Sequence, residues 1–149
     1  MSSTLPRLVV DASIVVKWTL DDEDHVAEAR SILRQYQQGN VDIVVPEHLI
    51  HEVVNTLVVG VRRERISLEH SKAAVTDMLS LAMPTASAAL LVDIAFDYAF
   101  RYDCAFYDAQ YLALADLAGC PFVHADRRLH NTLAGHFPRE LWIEDYEAS

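Results

Sequence analysis

Leu8-Val9-Val10-Asp11-Ala12-Ser13, residues 8–13, runs from three apolar residues into an acid. Three consecutive apolar residues that end on an acid read as a short buried strand. The same pattern recurs at Ile43-Val44-Val45 and at Pro121-Phe122-Val123-His124, the latter followed by Ala125-Asp126. Between these runs the apolar residues fall at helical spacing. Ser13 is placed to cap a short helix through Ile14–Leu20. The acidic turn 21–24 opens a second helix with Val26, Ala29, Ile32 and Leu33 as its apolar face, and Gly39-Asn40 stops it. Pro46 stands where the first residue of a helix tolerates proline, and that helix is expected to run to about Arg63. Further helices are expected from Ser67 to near Leu81, from Ser87 to Tyr102 after the break at Pro84, and from Phe106 to Leu117. A short helix through Leu129 and Leu133 and an apolar triplet, Leu141-Trp142-Ile143, complete the chain.

Short buried strands alternating with helices predict an α/β fold: a parallel sheet of four to five short strands, with helices on both faces. Ligands of such sheets sit beyond the carboxyl ends of the strands. Asp11 and Asp126 stand at two such ends.

The chain of 149 residues is expected to form one domain, 1–149, since its composition, 52% hydrophobic and 23% charged, supports a full core. The start, MSSTLPRLVVDAS, has no basic segment leading into an apolar one, so no export signal is expected. The longest uncharged stretch, Met78 to Val92, falls short of the ~20 apolar residues of a membrane span and contains Pro84. Cys104 and Cys120 have neither CxxC spacing nor a secreted framework and read as reduced thiols. The expected location is the cytoplasm, with no membrane partner. The net charge of −10 argues against simple coating of nucleic acid. It does not argue against a nuclease, because carboxylates that gather divalent cations add negative charge which the metal reverses locally. Two basic runs, Arg62-Arg63 with Arg65 and Arg127-Arg128, read as solvated helix ends.

Four acids stand out by their surroundings. Asp11 leaves a buried strand, and Asp126 does the same. Glu52 interrupts the apolar Leu49-Ile50 and Val53-Val54, and Asp108 follows Phe106-Tyr107. Each alone could be a helix cap or a first-turn acid. An unpaired carboxylate in such company is costly, and several that converge repel one another unless cations hold them.

Four segments in order, LVVDASIVVKW, VPEHLIHEVVNTL, RYDCAFYDAQYLALADLAGCP and FVHADRRLHN, resemble the PIN-domain nucleases, and within them the VapC-type toxins of toxin–antitoxin pairs. They span nearly the whole chain. His124, two residues before Asp126, departs from the threonine common in that family. The resemblance implies a metal-dependent endoribonuclease that hydrolyses RNA phosphodiesters with Mg²⁺ or Mn²⁺ at Asp11, Glu52, Asp108 and Asp126. It implies Asp11 and Asp108 as principal ligands and Asp126 completing a second site or binding through water. Glu52 would hold or deprotonate the attacking water, with Ser13 and Asn55 beside them. It also implies RNA as substrate, an antitoxin protein as partner, and a homodimer.

Other candidates read as structure. Glu47 stands at a helix start, where the dipole favours an acid. His48 and His51 lack further ligands at zinc spacing and read as solvated or rim histidines. Asp93 and Asp97 read as a polar helix face. Tyr98, Tyr102, Phe106, Tyr107 and Tyr111 read as core and interface residues. Two other functions compete. One is a non-catalytic PIN-like module that binds RNA or protein; the intact set of four acids argues against it. The other is a phosphatase or receiver-like enzyme, and the missing second acid at the first strand argues against that.

Overall fold

The structure is a computed structural model that describes residues 5–147; the first four residues and the last two of the expected domain 1–149 lie outside the described residues. Five short strands, β1 (Arg7–Val10), β2 (Asp42–Pro46), β3 (Thr85–Ala86), β4 (Phe122–His124) and β5 (Glu140–Trp142), form one sheet in the order β3-β2-β1-β4-β5, with every pairing parallel. Seven helices connect them: α1 (Ala12–Val15), α2 (Val26–Gln37), α3 (Leu49–Arg62), α4 (Leu68–Ser80), α5 (Ala88–Arg101), α6 (Phe106–Ala118) and α7 (Arg127–Leu133).

This order follows from the handedness of the crossovers. The first two connections step outward, from β1 to β2 and from β2 to β3. The next returns to the other side of β1, and the last steps on to β5. Right-handed crossovers that move in opposite directions put their helices on opposite faces of the sheet. The direction reverses between β1 and β4, which pair Val9 with Phe122 and Val10 with Val123. That reversal point is where parallel sheets leave a crevice for ligands.

The core lies on both sides of β1, whose Val9 and Val10 are fully buried. Residues Ala109 to Ala115 of α6 are buried without interruption, because this helix lies between the sheet and α5. A helix sandwiched in this way is apolar around most of its circumference, not along one stripe. Gly119 ends it in the left-handed conformation, with φ of 64°, which glycine adopts without a Cβ clash.

Local expectations fail at several points. Helix α1 begins at Ala12 and passes into a 3-10 turn, Val16–Trp18. Ser13 therefore lies inside it and is not its cap. Pro46 is the last residue of β2, not the first of α3; its neighbour on the sheet is Ala86. Strand β3 has no apolar run to announce it. Ser67 and Ser87 do cap α4 and α5, accepting from the His70 and Leu90 amides. Among the described residues, no helix is long and apolar enough to cross a membrane.

Candidate active site

Asp11 follows the last residue of β1 directly, and Asp126 follows β4 by two residues, so the two acids flank the reversal point of the sheet. Glu52 and Asp108 enter from the first turns of α3 and α6. The fold brings the four together: Asp11 feels the charges of Glu52, Asp108 and Asp126, and Asp108 feels those of Asp126 and Glu52.

Burial pushes the Asp11 carboxyl up to about 7, and the three neighbouring acids add to the rise. The Ser13 hydroxyl opposes it by donating to Asp11 Oδ1 at 2.5 Å. Burial likewise lifts Asp108 to about 6, helped by Asp126 and Glu52 and opposed by His48 and Arg128. These are two carboxyl groups held without enough positive charge.

Three of the acids have one oxygen tied to the protein. Asp11 Oδ1 takes the Ser13 hydroxyl, and Ser13 Oγ in turn accepts the Ala125 amide at 2.9 Å, so one serine joins the ends of β1 and β4. Asp126 Oδ1 accepts the amides of Arg128 and Leu129 at 3.0 and 3.2 Å, capping α7. Glu52 Oε1 accepts the Tyr111 hydroxyl at 2.8 Å. Among the described residues, the other oxygen of each of these three carboxylates takes no hydrogen bond. Asp126 thus caps a helix and also belongs to the acidic cluster. A cleft of about 290 Å³ opens beside Asp108 and Asp126, with Arg128 and Thr132 on its wall. A slightly larger cleft of about 330 Å³, walled by Trp18, Leu33, Leu57 and Met78, contains none of the four acids.

No three of the four acids have oxygens that all lie within 4.8 Å of one another. Among the described residues, the trio that meets this test is His124, His130 and Glu140. The quartet is therefore looser than a closed cage of ligands. Mg²⁺ suits a looser set, since it takes one or two carboxylates and keeps several waters.

Other expected residues fall differently. Asn55 is exposed and makes no described hydrogen bond to the acids. Glu47 is structural, as expected, but it serves another helix: Oε1 accepts the Ala88 amide at 2.8 Å in the first turn of α5. His51 is exposed. His48 is not a solvated histidine. It is buried, with its ring 4.9 Å from that of Tyr111 and 5.6 Å from that of Tyr107, and its Nε2 lies 3.0 Å from Glu52 Oε1. The sequence signal for His48 was its place four residues before Glu52, on the same side of the chain. Tyr111 is a core residue as expected, 1% exposed, but its hydroxyl reaches Glu52. Arg65 of the first basic run is taken up by Asp22 at 2.8 and 2.9 Å.

A family model for the PIN domain matches residues 8–133. Solved structures of similar fold include the following two. PAE2754 from Pyrobaculum aerophilum is 20% identical, with a TM-score of 0.63, over 93% of this chain and 85% of that one. VapC20 from Mycobacterium tuberculosis, a sarcin-ricin loop cleaving toxin, is 18% identical, with a TM-score of 0.61, over 85% of this chain and 95% of that one. No curated protein matches the sequence.

Proposed function

The chain belongs to the PIN-domain family, and from that premise we propose that it is a metal-dependent endoribonuclease, the toxin of a VapBC-type pair. The observation that carries this reading is the convergence of four carboxylates at the reversal point of the sheet, two of them with raised pKa. RNA as the substrate class is further supported by the similar fold of VapC20, a sarcin-ricin loop cleaving toxin.

The residues fit a hard divalent cation. Their donors are all oxygens, and the two lifted carboxyls lack a sufficient positive partner, which a cation would supply. Asp11 and Asp108 would hold Mg²⁺ or Mn²⁺, with Asp126 completing the site through its free oxygen or through water. When bound, the ion supplies Lewis-acid polarisation of the phosphate and acidifies water. Glu52, oriented by Tyr111, accepts the proton of the attacking water as the water oxygen adds to phosphorus, and the ester oxygen leaves as an alcohol on taking a proton from solvent. Ser13 fixes the distance between the β1 and β4 ends. Arg128, beside Asp108 and Asp126, attracts the phosphate.

We assign the antitoxin as the partner that covers this acidic cleft, and the cytoplasm as the location. A second copy of the chain suits the apolar surface of α5, where Leu90, Phe96 and Phe100 are exposed. The test of the activity is cleavage of defined RNA substrates with Mn²⁺, with Mg²⁺ and with EDTA, by wild type and Asp108→Asn. Cleavage is expected only for wild type with metal. Undiminished cleavage in EDTA would overturn the metal role. Binding of RNA without cleavage under any condition would leave a non-catalytic module.

A further inference from the structure

His124, Glu140 and His130 lie beside the acidic cleft and take no part in the reading above. His124 ends β4 and is completely buried; Glu140 begins β5, its side chain 7% exposed; His130 is on α7. Glu140 Oε2 lies 2.7 Å from His124 Nε2 and 2.7 Å from His130 Nδ1. The far side of the His124 ring is also occupied, because Nδ1 accepts the Asp126 amide at 3.3 Å.

These contacts assign the tautomer. A neutral imidazole has one N–H and one lone pair. Nδ1 faces a donor, so it carries the lone pair and Nε2 carries the proton that goes to Glu140. The same assignment argues against a metal among the three residues, although their spacing would allow one. A metal-bound histidine donates its other N–H to an acceptor, whereas the other nitrogen of His124 faces an N–H.

We infer that His124, braced by Glu140 and His130, positions Asp126 for its part in the active site, an inference that rests on the metal-dependent reading above. The brace works from both directions. His124 Nδ1 holds the backbone amide of Asp126 itself, and Glu140 sets the tautomer that makes this possible. Through His130 the same carboxylate grips α7, the helix that Asp126 caps. The pairing of His124 with Trp142 across β4 and β5, and the stacking of the His124 ring on Phe122 at 5.1 Å, prevent the ring from turning. His124 is a positioning residue; it is not one of the acids that would hold the metal.

Two conservative variants separate its two sides. The side-chain oxygen of asparagine falls near the position of Nδ1, so His124→Asn keeps an acceptor for the Asp126 amide. The side-chain amide of glutamine falls near Nε2, so His124→Gln keeps the donor to Glu140. Mn²⁺ binding is read by electron paramagnetic resonance and calorimetry on full-length protein, together with the melting temperature and kcat. His124→Gln is expected to lose about tenfold in Mn²⁺ affinity, and His124→Asn to stay within about threefold of wild type. The reverse order, or two variants that melt lower with unchanged Mn²⁺ affinity, would reduce the cluster to a structural tie and overturn the inference. If neither variant folds, long-range nitrogen–proton NMR of wild type decides: a proton on His124 Nε2 supports the inference, and one on Nδ1 overturns it. One equivalent of Zn²⁺ bound by wild type and lost in Glu140→Gln, with Mn²⁺ binding intact, would show a second metal site and overturn it as well. Wild type that binds no Mn²⁺ would overturn the parent reading, and this inference with it; wild type that binds Mn²⁺ as well as His124→Gln does would overturn this inference alone.

Discussion

Replacing Asp11 by Asn should stabilise the metal-free protein strongly at pH 8 and much less near pH 4.5. In the native fold, burial and then the charges of Glu52, Asp108 and Asp126 carry the Asp11 carboxyl from 3.8 to about 7. In the unfolded chain it returns to about 3.9. Between these values the native state keeps a proton that the unfolded chain has released, so stability falls as pH rises through that window. The loss is complete above pH 7. At about 1.4 kcal/mol per pH unit, a window of roughly three units is worth about 4 kcal/mol. This is a ceiling, because the remaining acids rearrange once Asp11 loses its charge. Asparagine keeps an oxygen to accept the Ser13 hydroxyl, so the substitution removes charge with little change of shape. A gain of about 2 kcal/mol at pH 8 is expected, shrinking below about 1 kcal/mol near pH 4.5. The assay is urea unfolding in EDTA at pH 4.5, 6 and 8, comparing wild type with Asp11→Asn. Every other titrating group is common to both proteins, so the difference isolates Asp11 and its coupling to its neighbours. A variant less stable than wild type at pH 8, or a difference that does not change with pH, would show that Asp11 is not held protonated in the native fold. Asp11 would then be ionised in the native state and stabilised by a partner.

Asp108→Asn should abolish RNA cleavage, leave the metal-free protein at least as stable as wild type, and reduce the rise in melting temperature that Mn²⁺ produces. For wild type that rise corresponds to about 2.7 kcal/mol at a free metal concentration ~100 times Kd. A marked loss of metal-free stability would instead make Asp108 a structural acid. Tyr111→Phe removes the hydroxyl that holds Glu52, so kcat should fall about tenfold with little change in KM; unchanged kcat would show that Glu52 does not need this donor. Glu47→Gln should leave cleavage and the Mn²⁺ response unchanged, because Glu47 serves the start of α5. Glu47→Ala should cost about 1 kcal/mol of stability by leaving the Ala88 amide without its acceptor, and lost activity in either variant would place Glu47 in the site.

Most of the sheet was legible because its inner strands are buried on both faces. A strand such as Leu8-Val9-Val10 or Phe122-Val123 has no polar side to show, and a short apolar run is its whole signature. β3 has only Thr85 and Ala86, and it exists because Val45 and Pro46 offer it a ladder. Nothing in two residues records a pairing made some forty positions away. Pro46 was misplaced for a related reason. The helix-start preference for proline is real, but the end of a strand also tolerates proline when the amide of the next residue continues the ladder, as Glu47 does by donating to the Ala86 carbonyl at 2.9 Å.

The acids were legible one at a time; the groups that orient them were not. Asp11, Glu52, Asp108 and Asp126 stand out locally because each interrupts an apolar context. Ser13 looked like a helix cap because the capping rule is local, and a single long-range contact decides otherwise: its hydroxyl bridges Asp11 and the Ala125 amide, 112 positions along the chain. Tyr111 and His48 look like core and surface respectively, yet both meet Glu52 where α3 packs near α6. The groups that tune this site therefore come from several separate segments, while the acids themselves sit at strand ends and first helical turns. Their own segments can place the acids, but only the assembled sheet can set the geometry between them. Function should accordingly be lost in variants that still fold locally but pair β1 and β4 poorly. The Val9–Val10 ladder with Phe122 and Val123 is the element on which the distance between Asp11 and Asp126 depends.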